Sequence, residues 1–337
     1  MAKIPVYVGL DYHEKVVQVC VMDFGGQILL NRPCNNDWRA IVDLVESRGR
    51  VVQAGIESCC GAANLAEELV AKKGWLINLA HPGYVGRMKL NPDKHDWGDA
   101  RMLADLVRVG YLPRVWLAPQ AIRDLRLLVR YRQQLVEAQR NAKLRIGALL
   151  REHRIRQAPA QRWTRVWRWW IQQHEGLTPH VRWVLDRQLA RLDEIVKERR
   201  LTETYLEKAT ADDPVIQDLM KLPGVGHVTA WLLRAEVGRF DRFRNGKQLS
   251  RFCGLTPRNA SSGLRQADAG LIKAGNPVLR AVLIQAAHRL MRHHAGWAQL
   301  AERLLRAGKP KSVVTAAVAN RWIRWLFHQM QPERKTA

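Results

Sequence analysis

The chain has 337 residues, 47% of them apolar and 26% charged, with a formal net charge of +24. The apolar fraction excludes wholesale disorder, and the lack of any run of 18 or more apolar residues excludes a helical membrane span. The charge is unevenly placed: residues 1–110 carry 13 Lys and Arg against 13 Asp and Glu, and residues 111–337 carry 42 against 18, an excess suited to a polyanion such as nucleic acid.

In chain order, residues 5–10 (PVYVGL) and 16–22 (VVQVCVM) read as buried strands. Gly25-Gly26 makes a hairpin turn into a third strand over 27–33. NNDWRAIVDLVES (36–48) has an Asn cap and helical spacing. VVQAGIE (51–57) is a strand, GAANLAEELVAKKG (61–74) a helix ending at Gly74, and WLINLA (75–80) a further strand. The order βββαβαβ predicts a mixed sheet flanked by helices. The opening MAKIPVYVGLDYHEK shows no signal-peptide hydrophobic region. The five cysteines are odd in number and form no C-x-x-C pair, so neither disulfides nor zinc are indicated and a reducing cytoplasm is expected.

Beyond about residue 117 the pattern is helical. Residues 121–153 carry apolar positions at helical spacing with arginines between. QRWTRVWRWW (161–170) interleaves tryptophan and arginine. Residues 181–209 have a period that supports a short coiled coil, ended at Asp212-Asp213-Pro214. Arg165 and Arg168 are candidate nucleic-acid contacts, with the tryptophans stacking on bases or packing between helices; packing is expected for at least half of them. LPGVGHVTAWLLRAEVG (222–238) reads as a turn opening a helix. Gly224 and Gly226 there bring backbone amides to a helix N-terminus, which either holds a DNA phosphate or is a tight turn without a ligand.

Four acids of the neutral third stand out. Asp11 and Glu57 each follow an apolar strand, in GLDYHEK and AGIES. Asp96 and Asp99, spaced i and i+3 in DKHDWGDARMLADL, share one face at a helix start. Carboxylates gathered from separate elements suit metal-dependent phosphodiester chemistry. The competing reading makes them a turn residue, a strand-end residue and helix caps on a merely basic binding protein.

The set GLD, GIES and KHDWGDARMLADL resembles the DEDD tetrad of RuvC-like domains, whose fold is of the ribonuclease H type. More narrowly it resembles the DEDD transposases of insertion sequences, related to the Piv and MooV invertases, which include bridge-RNA-guided recombinases. The resemblance implies that Asp11, Glu57, Asp96 and Asp99 bind Mg²⁺ in a two-metal site. FCGLTPRNASSG with GLIKAGNPVLRAVLIQAA is similar to the family's carboxy-terminal domain, in which a serine before a glycine attacks DNA. By position that serine is Ser262, with Ser261 the neighbouring hydroxyl, in a setting of Arg258, Arg265, Lys273 and Arg280. No local histidine fits as its base, so the tetrad's metal is expected to activate it when the domains meet.

The resemblance implies three regions: a RuvC-like domain over 1–118, a helical and coiled-coil region over 119–212, and a mainly helical transposase domain over 213–337. It implies donor and target DNA and a bridge RNA as partners, a dimer or tetramer, and no membrane. A site-specific invertase of the same chemistry and a RuvC-like junction nuclease are the alternatives.

Overall fold

Alternating and continuous apolar runs fold into strands at the start of the chain. These are β1 (Pro5–Tyr12), β2 (Val16–Asp23) and β3 (Ile28–Asn35). The computed structural model describes residues 3–88, 95–155, 159–259, 268–272 and 275–331. It divides into two compact units, Met1–Ala118 and Pro119–Ala337. At the expected hairpin, Gly26 has φ of 89° and its N–H donates to the Asp23 carbonyl, a left-handed conformation that glycine adopts without strain.

The first unit continues through α1 (Trp38–Glu46), β4 (Arg50–Glu57), α2 (Ala62–Lys73), β5 (Ile77–Ala80), α3 (Pro82–Met88), α4 (Asp96–Arg108) and β6 (Arg114–Val115). The expected βββαβαβ order is present. The sequence reading missed α3 and β6, which are too short to display a period. It also misplaced one cap. Asp37, not an asparagine, caps α1, accepting from the Arg39 and Ala40 amides. Asn36 instead donates to the His13 and Glu14 carbonyls, tying down the backbone after β1.

The six strands form one sheet in the order β3-β2-β1-β4-β5-β6. β1, β2 and β3 run antiparallel, β4 and β5 lie parallel to β1, and β6 is antiparallel to β5. This is the ribonuclease H type of mixed sheet. Val6, Val8 and Leu10 alternate onto one face and pack with Val17, Val19, Val21 and Ile56 against Ile41, Val45, Leu65 and Leu69 of α1 and α2. The opposite face receives α4, whose Ala100 and Ala104 pack on Cys20 and Met22.

Two glycines set how closely α4 approaches. Gly9 and Gly55 are register partners on β1 and β4. A Cβ at Gly9 would lie 1.9 Å from the Ala100 carbonyl oxygen and 2.5 Å from the Ala104 nitrogen; at Gly55 it would lie 2.5 Å from Val107 Cγ2. Helix backbone cannot rotate away as a side chain can. Gly9→Ala should therefore cost about 3 kcal/mol or more, at the upper end for overpacking, read as a lower urea midpoint. An unchanged midpoint would contradict the close packing.

The second unit contains α5 (Gln120–Glu152), α6 (Arg165–Gln173), α7 (Pro179–Ala209), α8 (Pro214–Met220), α9 (His227–Glu236), α10 (Gly246–Phe252), β7 (Pro257–Asn259), β8 (Asp268–Leu271), α11 (Pro277–His293), α12 (Ala295–Arg306) and α13 (Lys311–Gln329). Asp213 caps α8 through its side chain, which explains the break before it. Ile146 and Leu150 of α5, Trp167 and Ile171 of α6, and Leu185 and Leu189 of α7 form one core. A larger core joins α8, α9, α10, α11 and α13 around Trp231 and Trp322. Among the described residues no helix is long and apolar enough to cross a membrane.

Candidate active site

The alternation of β1 decides which residues meet α4. Gly9 faces the helix, so Asp11, two residues on, faces it as well. On β4 the same argument runs from Gly55 to Glu57. Leu10 and Ile56 are the last registered partners, so Asp11 and Glu57 follow side by side at the carboxyl ends of two parallel strands. Because α4 starts at this end of the sheet, its first turn brings Asp96 and Asp99 there too.

His13 completes the cluster. Its Nε2 lies 3.3 Å from Asp11 Oδ2 and 3.4 Å from Asp96 Oδ1. Ligand atoms of Asp11, His13 and Asp96 all fall within 4.8 Å of one another. Neither close approach has hydrogen-bond geometry. Asp11 Oδ2 and His13 Nε2 are both buried atoms without a hydrogen-bond partner, which is costly unless something else satisfies them. Two carboxylates and an imidazole facing one small space are a donor set that a divalent cation would satisfy.

The electrostatics agree. Burial pushes the Asp11 carboxyl above its ordinary range, His13 opposes that, and the charges of Asp99 and Asp96 add to it. Asp99 is buried, while the Asp96 side chain is 53% exposed. The Cys59 thiol, just past β4, is raised by burial and then by Glu57, with a further contribution from Asp11. Both acids therefore act on one neighbouring group. The sequence reading missed His13 because it ended the first strand at Leu10. β1 runs to Tyr12, and continuing the period of two would have put His13 on the face of Asp11.

The other sequence candidates are spread over the second unit. Gly224 has φ of 82° and packs against Leu290, where a Cβ would lie 2.8 Å from Cγ. Gly226 is the exposed N-cap of α9, whose first turn has no side-chain cap. Arg165 is exposed on α6. Arg168 is committed to Asp193 and to the Leu189 carbonyl, which ties it to α7. Trp163, Trp167 and Trp170 pack into the α5–α6–α7 core, while Trp169 is exposed. Arg258 is exposed on β7, and Arg280 donates to the Ile272 carbonyl. Ser261, Ser262, Arg265 and Lys273 lie outside the described residues; both serines fall in sequence between β7 and β8, which pair at Pro257–Leu271 and Asn259–Asp268.

Two family models match the chain. One, a transposase model of the DEDD type from IS110 elements, matches residues 8–155. The other, described as the transposase IS116/IS110/IS902 family, matches residues 216–302. The transposase for insertion sequence element IS1111A of Coxiella burnetii is 28% identical over 290 residues, 85% of this chain and 78% of the relative. A probable family 20 transposase of Pseudomonas aeruginosa is 25% identical over 335 residues, 97% of each chain. The transposase for insertion sequence element IS1328 of Yersinia enterocolitica is 27% identical over 240 residues, 70% of each.

Proposed function

The chain belongs to the DEDD transposases of insertion sequences, enzymes of DNA cleavage and transfer, and from that premise we propose that it works through a phosphoserine link guided by a bridge RNA. The observation that carries the metal half of this reading is the meeting of Asp11, His13 and Asp96, with Glu57 on the adjoining strand end. Asp11, Glu57, Asp96 and Asp99 would hold Mg²⁺ as oxygen ligands. His13, a nitrogen in an otherwise oxygen set, fits a water of the ion's hydration shell better than the ion itself. Two bound Mg²⁺ ions would assist both the attacking and the leaving oxygen of an in-line displacement.

The chain's own part is attack and release. Ser262 Oγ attacks the phosphorus and gives up its proton. An Oγ–P bond forms, the P–O3′ bond breaks, and the 3′ oxygen leaves as a hydroxyl. In the second step the 3′-hydroxyl of the partner strand attacks the phosphoserine. The phosphodiester reforms and Ser262 regains its proton. One ester replaces another throughout, so no ATP is consumed. No G-x-x-x-x-G-K-[ST] run occurs in the chain.

The cationic second unit supports a nucleic-acid-binding role, with Gly224, Gly226, Arg165, Arg258, Arg265, Lys273 and Arg280 as contacts. Donor DNA, target DNA and a bridge RNA would be held by a dimer or tetramer in the cytoplasm. Sequence choice would then fall to base pairing and not to the protein. The three-region division at 118 and 212 fits this reading: acids in the first region, helices in the second and the serine in the third. RNA that copurifies with the protein, returned to it with Mg²⁺, should support strand exchange between two DNA duplexes. EDTA should abolish the exchange. Exchange that persists in EDTA, or that needs no RNA, would overturn the corresponding half of the proposal.

A further inference from the structure

Trp97 stands at the acid cluster with no role in the reaction above. It lies between Asp96 and Asp99 on the first turn of α4, and the residue is 47% exposed. Single exposed apolar residues are ordinary on protein surfaces, but this one has a tied-down backbone and a cation over its ring. Its carbonyl accepts a 2.9 Å hydrogen bond from Asn31 Nδ2 on β3. Asn31 Oδ1 in turn accepts a 2.7 Å bond from the buried Gln18 Nε2 on β2. One turn along α4, the Arg101 guanidinium lies over the indole, 5.6 Å from the ring centroid. The result is an exposed indole with a guanidinium over it, on a tied-down backbone in the same helical turn as Asp96 and Asp99.

That arrangement matches the chemistry of a nucleotide. Every phosphodiester adjoins a sugar and a base, so a strand whose phosphate is held at the acids brings a base alongside. Every base presents a π face, and stacking on an aromatic side chain is tolerant of sequence. Arg101 supplies the positive charge that the neighbouring phosphates favour and that the acids do not. The occupant argued for is therefore a DNA base beside the reacting phosphodiester.

We propose that Trp97, backed by Arg101, stacks on the nucleobase next to the phosphodiester held at the acids. Trp97 thereby selects a strand that is unstacked at that step. This inference rests on the reading of the acids as the cleavage site. It adds a contact that the metal chemistry does not require.

The test is a cycle between protein and DNA, using the full chain with its copurified RNA and Mg²⁺. The substrate is a duplex bearing the end of the insertion sequence that encodes the chain, intact or with a single abasic nucleotide on either side of the cleaved phosphate. Trp97→Ala should lower cleavage at limiting DNA about five-fold or more, the smaller end expected for one stacked base. The loss should fall mainly on KM, and Trp97→Phe should keep most of the activity. One of the two abasic substitutions should cost the wild type a similar factor and cost Trp97→Ala nothing further. Independent, multiplying losses, or wild-type cleavage by Trp97→Ala, would overturn the proposal. Failure of the acid reading looks different: Asp11→Asn would then still cleave, whatever the Trp97 cycle shows.

Discussion

Asp11→Asn should lower DNA strand cleavage by about three orders of magnitude while leaving the metal-free protein at least as stable as the wild type. The kinetic figure follows from losing several kcal/mol of charge stabilisation at the reacting phosphate, with each 1.36 kcal/mol worth a factor of ten. The stability half follows from the position of Asp11. Its carboxyl is mostly buried, its Oδ2 has no hydrogen-bond partner, and its proton affinity is raised by burial and by Asp99 and Asp96. A carboxyl raised in the folded state binds its proton more tightly there than in the unfolded chain. Without metal, the wild type should therefore lose stability as pH rises from the unfolded carboxylate range through the raised value. The asparagine variant should lack that component. Thermal melting in EDTA across the acid-to-neutral range reads this out. Added Mg²⁺ should reverse the order, stabilising the wild type and leaving the variant unmoved, because a ligand stabilises only the state that binds it. Cleavage within ten-fold of wild type, or a variant that melts below it in EDTA, would contradict the assignment.

Ser262→Ala should abolish the covalent protein–DNA adduct and retain DNA and RNA binding. The wild type should show a DNA-linked band on a denaturing gel that depends on Mg²⁺, since the sequence from 253 to 287 holds no histidine to serve the serine as a base. Ser261→Ala should keep that band. Without an activated hydroxyl, water is the remaining nucleophile, and it leaves no link to the protein. An adduct that survives Ser262→Ala and disappears in Ser261→Ala would shift the role by one residue. Cleavage by the wild type with no adduct would make the reaction hydrolytic, as in a junction nuclease.

The acids were legible because the pattern around them is simple. An apolar strand that ends in Asp or Glu announces a carboxylate at a sheet edge, and two acids at i and i+3 announce one helical face. Asp11, Glu57, Asp96 and Asp99 occupy those places. What could not be read is what depends on tertiary closeness. Gly9 and Gly55 look like ordinary strand glycines until α4 lies across them. Asn36 and Asp37 are both good caps, and only the carbonyls of His13 and Glu14 determine which of the two serves α1. Arg168 reads as a phosphate ligand in a tryptophan-arginine run, yet Asp193, twenty-five residues away on α7, claims it. The segment from 260 to 267, which contains Ser262, lies outside the described residues.

Cys59 turns the acid cluster into something that can be followed without DNA. Cys59 is an exposed residue with a partly buried thiol, Cys60 beside it is exposed too, and Cys20 and Cys253 are buried. Only the thiolate is alkylated at an appreciable rate, and partial burial first, then the negative charges of Glu57 and Asp11, hold that form back. Neutralising those carboxylates would raise the thiolate fraction, with burial still opposing it. The speed with which an alkylating dye modifies Cys59, resolved from its exposed neighbour Cys60, thus responds to the charge that Glu57 and Asp11 carry and is legible from the protein alone.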